Sequence, residues 1–206
     1  MVSSTIVLAI YLAAFACLHS FLASLKVKRI VYGMVGPKVN SWYLPGYTII
    51  SGIVILPLVY YLFLNPGQIL YIVPFPWRWM MVGGQAVMGL LTYRAFHDAL
   101  PYKFEVTAEI SEPGTSDAGP LQIKGIYRWI RDPFFFIGVL FIWLTPFMTT
   151  NLLVLYLMTT FYFYLGSRHW EMRLISQFGD AYRDYQKQVP RIIPWKGAIY
   201  PQYKGK

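Results

Sequence analysis

The sequence predicts an all-α membrane protein that crosses the bilayer several times, with about five transmembrane helices in a single domain, residues 1–206. Of its 206 residues, 56% are hydrophobic and 13% are charged, whereas roughly 25% of the residues of an ordinary soluble domain are charged. The apolar residues fall in long runs, and about 20 apolar residues in a helix cross a hydrocarbon core roughly 30 Å thick. The net charge of +9 therefore indicates basic segments at the cytoplasmic membrane face, and no nucleic-acid partner.

Three spans are predicted within residues 1–93. The first apolar run, residues 2–25, contains no charged residue. We interpret it as a retained helix because it has neither the basic start nor the cleavage site of a signal peptide. The second run covers residues 47–64 and contains Pro57, which predicts a kink. The third covers residues 79–93, where glycines permit close contact between helices.

Two shorter spans are predicted after a polar connector at residues 94–133. They cover residues 134–148 and 152–166, and only the polar residues 149–151 separate them. Such a short break predicts a helical hairpin over residues 134–166. A re-entrant pair that does not cross the bilayer fully is the alternative, because each run is short for a span.

The polar segments on either side of the hairpin differ in their predicted structure. Residues 111–120 are rich in glycine, proline and serine, which predicts a loop within the connector. Within the C-terminal segment, residues 167–206, the stretch 168–185 has apolar residues at three- and four-residue spacing, and Val189-Pro190 and Pro194 follow it. This pattern predicts an amphipathic helix on the cytoplasmic face, bent near Gly179. Pro133 suits the first position of the fourth span, where free backbone amides bind anions.

The distribution of basic residues predicts the orientation of the chain. If the amino terminus is outside and there are five spans, 17 of the 18 lysines and arginines lie on the cytoplasmic side. Arg78 is the exception. Cytoplasmic segments of membrane proteins carry an excess of lysine and arginine. The carboxyl terminus is therefore predicted to be cytoplasmic.

Two motifs flank the predicted hairpin. The first is Gly125-Ile126-Tyr127-Arg128 followed by Arg131-x-Pro133. The second consists of Glu171, Phe178-Gly179, Tyr182, Tyr185, Val189-Pro190 and Pro194. With these motifs, over roughly residues 121–194, the chain resembles the integral-membrane methyltransferases of the isoprenylcysteine carboxyl methyltransferase and phospholipid methyltransferase type. The end of the first span, His19-Ser20 with Ala23-Ser24, is similar to the branch that contains thiol S-methyltransferases.

This resemblance implies a helical binding site for S-adenosylmethionine at the cytoplasmic membrane face, without a Rossmann sheet. It implies that a lipophilic or small acceptor, with a thiol, a carboxylate or a lipid group, reaches the site from the bilayer. Glu171 and Arg131 are then the candidate catalytic residues, and Tyr182 and Tyr185 help to close the site. The candidate cofactor-binding residues are Leu121, Gly125, Tyr127, Arg131, Asp132, Pro133, Phe135, Glu171, Tyr182 and Tyr185.

The chemistry of methyl transfer agrees with these residue types. Transfer from a sulfonium is an in-line displacement, to which a protein contributes mainly alignment and a dry site. The sulfonium and the α-ammonium of the donor are cations, for which a carboxylate such as Glu171 and aromatic faces such as Tyr127 are suitable neighbours. The α-carboxylate of the donor requires a basic group, which Arg131 provides.

Three positions depart from the family pattern. Asp132 stands where the family usually has histidine, Phe135 where it has tyrosine, and Trp170 where it has a second acidic residue. A carboxylate cannot donate a hydrogen bond as an imidazole does unless it is protonated. These departures leave a second interpretation open, namely a catalytically degenerate relative that acts as a membrane subunit or assembly partner of a larger complex.

Two histidines are candidate substrate contacts. His19 lies within the first span, where a polar residue predicts a functional site, with a plain hydrogen bond to a neighbouring helix as the alternative. His97 follows the third span beside Asp98 and Arg94, where a solvated interfacial cap is the alternative. The three histidines are separated and there is one cysteine, which predicts no metal site.

Overall fold

The computed structural model describes residues 2–99, 110, 121 and 123–195, and these residues are mostly helical. The helices and strands are α1 Val2–Leu22, α2 Leu25–Val35, α3 Val39–Leu64, β1 Ile69–Ile72, α4 Trp77–His97, α5 Pro133–Trp143, β2 Phe147–Thr149, α6 Thr150–Phe178 and α7 Asp180–Gln188. Short 3₁₀ turns cover Gly36–Lys38 and Gly125–Arg128. The prediction of a mostly helical protein is confirmed. The predicted loop at residues 111–120 and the chain beyond residue 195 lie outside the described residues.

A two-stranded antiparallel sheet is a feature that the sequence did not predict. Ile69 of β1 lies opposite Thr149 of β2, and the Val73 amide extends the pairing with a 2.8 Å hydrogen bond to the Pro146 carbonyl. The sheet shortens the fourth predicted span, because α5 ends at Trp143 and the chain then becomes extended. The predicted end of that span at residue 148 is therefore wrong. Pro146 explains the change, since proline disfavours helical backbone in the residue before it.

Helix α6 is longer than the predicted fifth span at residues 152–166. It continues without interruption through the first part of the predicted amphipathic helix, as far as Phe178. Gly179 then adopts a φ of +54°, a value that favours glycine, and α7 begins at Asp180. The predicted bend near Gly179 is confirmed.

The described residues form two compact units. The first unit comprises residues 2–74, 110 and 146–162, and the second comprises residues 75–99, 121, 123–145 and 163–195. Helix α6 contributes its first part to one unit and the remainder to the other. The prediction of a single domain, with subdivisions at residues 1–93, 94–133, 134–166 and 167–206, stays a prediction.

The first unit has a small apolar core. Leu8 and Leu12 of α1 pack with Leu58 of α3, and Val154 and Met158 of α6 lie against them. Leu8 and Leu58 are almost completely buried. The core therefore joins three helices that are distant in sequence.

Much of the apolar surface of the first unit faces outwards. Residues 4–22 and 25–64 are the two helical stretches of the described chain that are long and apolar enough to cross a membrane, and only 11% and 6% of their most apolar windows are buried. Ile53, Leu56 and Phe63 of α3, for example, are 61%, 62% and 81% exposed. Such continuous exposed apolar surface is typical of contact with lipid or with another protein. It favours a membrane location, while five spans stay a prediction.

Candidate functional site

The turn Gly125–Arg128 of the second unit is held by a buried carboxylate. Asp98 accepts hydrogen bonds at Oδ2 from the Ile126 amide at 3.1 Å and from Arg94 Nε at 2.8 Å. Gly125 has a φ of +47°, and a Cβ at this position would lie 1.8 Å from Asp98 Oδ2. Only glycine fits here, because the backbone conformation and the space both exclude a side chain. Asp98 is the C-cap residue of α4, as the cap interpretation requires, but it is only 8% exposed. The expectation that its charge is solvated is therefore wrong.

Tyr127 and Tyr185 connect this turn with α7. The Tyr127 hydroxyl donates to the Ala95 carbonyl at 3.4 Å, and the Tyr127 carbonyl accepts a 2.5 Å hydrogen bond from the Tyr185 hydroxyl. Both side chains are buried. Burial raises the pKa of Tyr127 because an apolar environment disfavours the phenolate, and the carboxylates of Asp132 and Asp98 act in the same direction.

Arg131 and Glu171 form an ion pair between the two motifs. Arg131 Nη1 donates to Glu171 Oε1, and the two side chains are 11% and 18% exposed. The residues are 40 positions apart in sequence. Arg131 precedes α5 and Glu171 lies in the second half of α6. The fold therefore brings the two candidate catalytic residues into direct contact.

Tyr182 of α7 lies beside this ion pair. Burial raises its pKa, the Glu171 carboxylate adds to the increase, and a hydrogen bond with Arg131 acts in the opposite direction. The Tyr182 ring also contacts the Tyr185 ring edge-on, with 5.6 Å between the centroids. The neutral phenol form of Tyr182 is consequently stabilised next to two charged groups.

The start of α5 is capped by its own chain. Asp132 Oδ1 accepts a hydrogen bond from the Phe135 amide at 3.1 Å, which makes Asp132 the N-cap of the helix. Pro133 occupies the first turn and is fully buried, and Phe135 is partly buried. The expectation that the amides at this helix start are free to bind an anion is wrong for the Phe135 amide, because Asp132 already bonds it.

A short extended segment after α7 fixes the backbone of Arg131 and Asp132. The Arg131 amide donates to the Pro190 carbonyl and the Asp132 amide to the Arg191 carbonyl, both at 3.0 Å. The Arg191 side chain donates from Nε and Nη2 to Ser167 Oγ at 3.1 and 3.0 Å. The segment therefore joins the loop before α5 to α6.

The structure gathers most of the predicted site residues in the second unit. Arg131 is bonded to Glu171, Tyr182 and Tyr185 lie against this region through α7, and Leu121 is buried at 4% exposure. His97 differs from these residues because its side chain is 72% exposed, and its Nδ1 lies 3.8 Å from Asp98 Oδ1. Its substrate role stays a prediction.

His19 belongs to the first unit. Its ring contacts Tyr47, forms a 3.0 Å hydrogen bond with Ser51 Oγ, and lies 6.1 Å from the Tyr162 ring between centroids. These contacts fit the alternative interpretation, in which His19 bonds neighbouring helices. Its substrate role stays a prediction.

The sequence did not predict that three residues would position the site residues of the second unit. Asp98, Ser167 and Arg191 act through contacts with residues 24 to 28 positions away. No local sequence pattern links a buried acidic residue with a distant glycine of positive φ. The contact of Asp98 with the turn at Gly125 could therefore not be predicted from the sequence. In the part of the chain that the structure describes, no group of histidine, cysteine or acidic residues is arranged to hold a metal ion.

The chain was compared with known proteins. No protein-family model matches the sequence. No solved structure matches it either. Curated proteins with similar sequences do match it.

Methanethiol S-methyltransferase 1 of Bradyrhizobium diazoefficiens is 34% identical over 85 residues, which cover 40% of this chain and 30% of that protein. Methanethiol S-methyltransferase of Mycobacterium tuberculosis is 35% identical over 74 residues, 36% of this chain and 30% of that protein. The protein of that name from Pseudomonas sp. (strain GM41) is 22% identical over 191 residues, 90% of this chain and 72% of that protein. The chain thus spans 30% of the length of the first two relatives. These matches confirm the resemblance, and the chain is similar to proteins named methanethiol S-methyltransferase.

Proposed function

We propose that this protein is a membrane-embedded methyltransferase that uses S-adenosylmethionine to methylate a small thiol at the cytoplasmic membrane face. Among the acceptor classes that the sequence left open, a small thiol agrees with the names of the relatives. The observation that carries the proposal is the ion pair of Arg131 and Glu171, which is largely buried and joins the two motifs.

The residues at this ion pair fit the amino-acid end of the donor. That end carries an ammonium and a carboxylate, and Glu171 and Arg131 offer one group of opposite charge to each. Among the described residues, the buried atoms Arg131 Nε and Arg128 Nε have no hydrogen-bond partner. A buried guanidinium nitrogen without an acceptor is unfavourable, and a carboxylate satisfies it. Arg131 is therefore suited to bind the donor carboxylate and Glu171 to bind its ammonium.

Buried tyrosines support the same assignment. Tyr127, Tyr182 and Tyr185 are 2–4% exposed, so they exclude water from the region between α7 and the loop before α5. Tyrosine with its ordinary pKa of about 10 is already neutral at physiological pH, and the raised pKa values of Tyr127 and Tyr182 keep these two phenols neutral to a higher pH. Neutral phenols donate hydrogen bonds, and their rings interact favourably with cations.

Methyl transfer requires the protein mainly to bind and orient the two reactants. S-Adenosylmethionine supplies an electrophilic methyl group on its sulfonium. When bound, the donor would pass this methyl group to the thiol sulfur, with S-adenosylhomocysteine as the leaving group and the thiol proton lost to the medium. Arg131 and Glu171 hold the donor in one orientation, and orientation of reactants is a large part of the rate increase in such displacements.

The membrane arrangement is part of the proposal. The exposed apolar surfaces of α1 and α3 support a membrane location. Five spans with the amino terminus outside would place 17 of the 18 basic residues on the cytoplasmic side, as the usual excess of cytoplasmic lysine and arginine requires. Helix α6 has 29 residues, a length of about 43 Å at roughly 1.5 Å per residue. It is long enough to cross the bilayer and to carry Glu171 beyond the hydrocarbon on the cytoplasmic side.

The alternative of a catalytically degenerate subunit is not proposed. The substituted residue Asp132 has a structural task as the cap of α5, so its presence does not indicate a lost site. The relatives also carry the names of enzymes.

Titration of the purified protein with S-adenosylhomocysteine by calorimetry tests the proposal. Wild-type protein is expected to bind, and Glu171→Gln to lose at least tenfold in affinity, because a buried charge partner of the ligand is removed. Asp180→Asn is the matched control, since Asp180 is an acidic residue of the same region whose side chain is 91% exposed. Equal affinities of wild type and Glu171→Gln would contradict the assigned role. Release of a methyl thioether from methanethiol, measured by gas chromatography, tests the acceptor.

A further inference from the structure

The first unit contains a cavity of about 480 Å³ between α2 and α3, within the range of roughly 300–1,000 Å³ that small-molecule sites occupy. Val27, Val31 and Val35 of α2 form one wall, and Trp42 and Gly46 of α3 belong to the other. The four-residue spacing of the valines places them in one stripe on α2. The cavity is therefore apolar along its length.

The same region is positively charged. Lys38 lines the cavity and is exposed, and Lys26 and Arg29 of α2 are exposed nearby in sequence. Lys28 is buried, with its ammonium 5.7 Å from the centroid of the Tyr43 ring. The described residues of the first unit include no aspartate or glutamate, and residues 1–97 of the sequence contain none. The charge of this region is consequently not balanced within the described part of its unit.

Helix α2 has the properties of a helix that lies in the membrane interface. It has 11 residues, about 16 Å at roughly 1.5 Å per residue, which is too short to cross a bilayer. Ser24 caps its first turn by accepting a hydrogen bond from the Val27 amide. Basic residues beside an apolar stripe are typical of helices at the boundary between headgroups and acyl chains. With α2 in the interface, the cavity between α2 and α3 would lie at the depth where an acyl chain meets its headgroup.

We propose that this cavity holds an acyl chain of an anionic phospholipid, whose phosphate contacts Lys38 and the exposed cations of α2. Clusters of lysine and arginine next to a transmembrane helix attract anionic lipids. A neutral lipid fills the same apolar volume but offers no anionic group to the exposed basic residues Lys26, Arg29 and Lys38. The charge of the region therefore selects an anionic headgroup. This site lies in the first unit and is additional to the proposed methyl-transfer function.

Glycines of α3 provide a matched pair of variants. A Cβ added at Gly46, which lines the cavity, meets no atom within 4 Å, and the same holds for Gly52 on the same helix. Gly46→Leu therefore fills the cavity without a clash at its first side-chain atom, and Gly52→Leu adds the same side chain elsewhere. Lys38→Gln removes one charge at an exposed position and leaves the core intact.

The experiment measures the thermal midpoint of detergent-purified protein during titration with dioleoylphosphatidylglycerol or dioleoylphosphatidylcholine, together with native mass spectrometry. Phosphatidylglycerol is expected to stabilise the wild type and Gly52→Leu and to remain bound to them in the gas phase. Gly46→Leu is expected to lose both effects. Lys38→Gln is expected to bind phosphatidylglycerol about fivefold more weakly than the wild type, which is the usual contribution of one basic residue near an anionic surface. Arg78→Gln is expected to bind this lipid as the wild type does.

Several outcomes would overturn the proposal. Equal stabilisation by the two lipids would mean that the charge plays no part and the occupant is neutral. A dimer without bound lipid would mean that a second copy covers the cavity. If Lys38→Gln binds phosphatidylglycerol with the affinity of the wild type, the proposal is contradicted, even if Gly46→Leu does not fold.

Discussion

Tyr185 donates a hydrogen bond from its hydroxyl to the backbone carbonyl of Tyr127 at 2.5 Å, across 58 positions of the sequence. Both residues are 4% exposed. The bond attaches α7 to the turn that carries the first motif. It explains why a tyrosine, and not merely an aromatic ring, suits position 185, since a buried carbonyl without a partner is costly.

Tyr185→Phe is expected to destabilise the protein by about 1–3 kcal/mol, because the Tyr127 carbonyl loses its buried donor while the ring is kept. Chemical unfolding in detergent, followed by tryptophan fluorescence, measures this change. Tyr93→Phe is the control, since Tyr93 is 72% exposed. A Tyr185 variant as stable as the Tyr93 variant would show that the hydrogen bond does not hold α7.

Gly125→Ala is expected to weaken binding of S-adenosylhomocysteine at least tenfold. The new Cβ would lie 1.8 Å from Asp98 Oδ2 in a backbone conformation that side chains rarely adopt. The turn must therefore move, and Tyr127 with it. Gly89→Ala on α4 is the control, because its Cβ meets nothing within 4 Å. If calorimetry gave the two variants equal affinities for S-adenosylhomocysteine, the turn at Gly125 would not be required for binding.

Asp132→Ala is expected to lose about 0.5–2 kcal/mol of stability, the usual effect of removing an N-cap. Asp132→Asn is expected to stay close to the wild type, because its side-chain oxygen still accepts a bond from the Phe135 amide. Unfolding curves of the three proteins make this comparison. If the Asn and Ala variants were equally destabilised, the negative charge of Asp132 and not its hydrogen bond to the Phe135 amide would account for its contribution to stability.

Alkaline pH is expected to destabilise the protein through its buried tyrosines. The pKa values of Tyr127 and Tyr182 are raised in the folded state, so the folded protein holds these protons at pH values where the unfolded chain loses them. The stabilisation is fully present below the ordinary tyrosine pKa of about 10 and is lost as the pH rises above it. Thermal midpoints between pH 8 and 11 measure the effect. Tyr182→Phe should show a shallower decrease than wild type, and an identical slope would exclude Tyr182 as a cause.

Part of this structure could be predicted from the sequence. The apolar runs indicate the long helices, because burying backbone polar groups in lipid requires helical hydrogen bonds. Proline and glycine at positions 133 and 179 indicate where α5 begins and α6 ends. The contact of Arg131 with Glu171 agrees with the resemblance, in which both residues belong to one site.

Other features depend on contacts that no local pattern contains. The burial of Asp98 follows from a turn 28 residues later in the sequence, and the role of Arg191 follows from Ser167 on α6. The sheet of β1 and β2 pairs residues about 80 positions apart. Long-range pairs of this kind are determined by tertiary packing, which overrides local preference.

Exchange of the two charges, Arg131→Glu together with Glu171→Arg, tests the central claim most directly. The double variant keeps an ion pair at the same place, so its thermal midpoint should recover relative to either single variant. It presents the opposite charge to each end of the donor, so calorimetry should detect no binding of S-adenosylhomocysteine. Recovery of stability without binding is the predicted result. Binding with wild-type affinity by the exchanged protein would mean that the pair is only structural and would contradict the account.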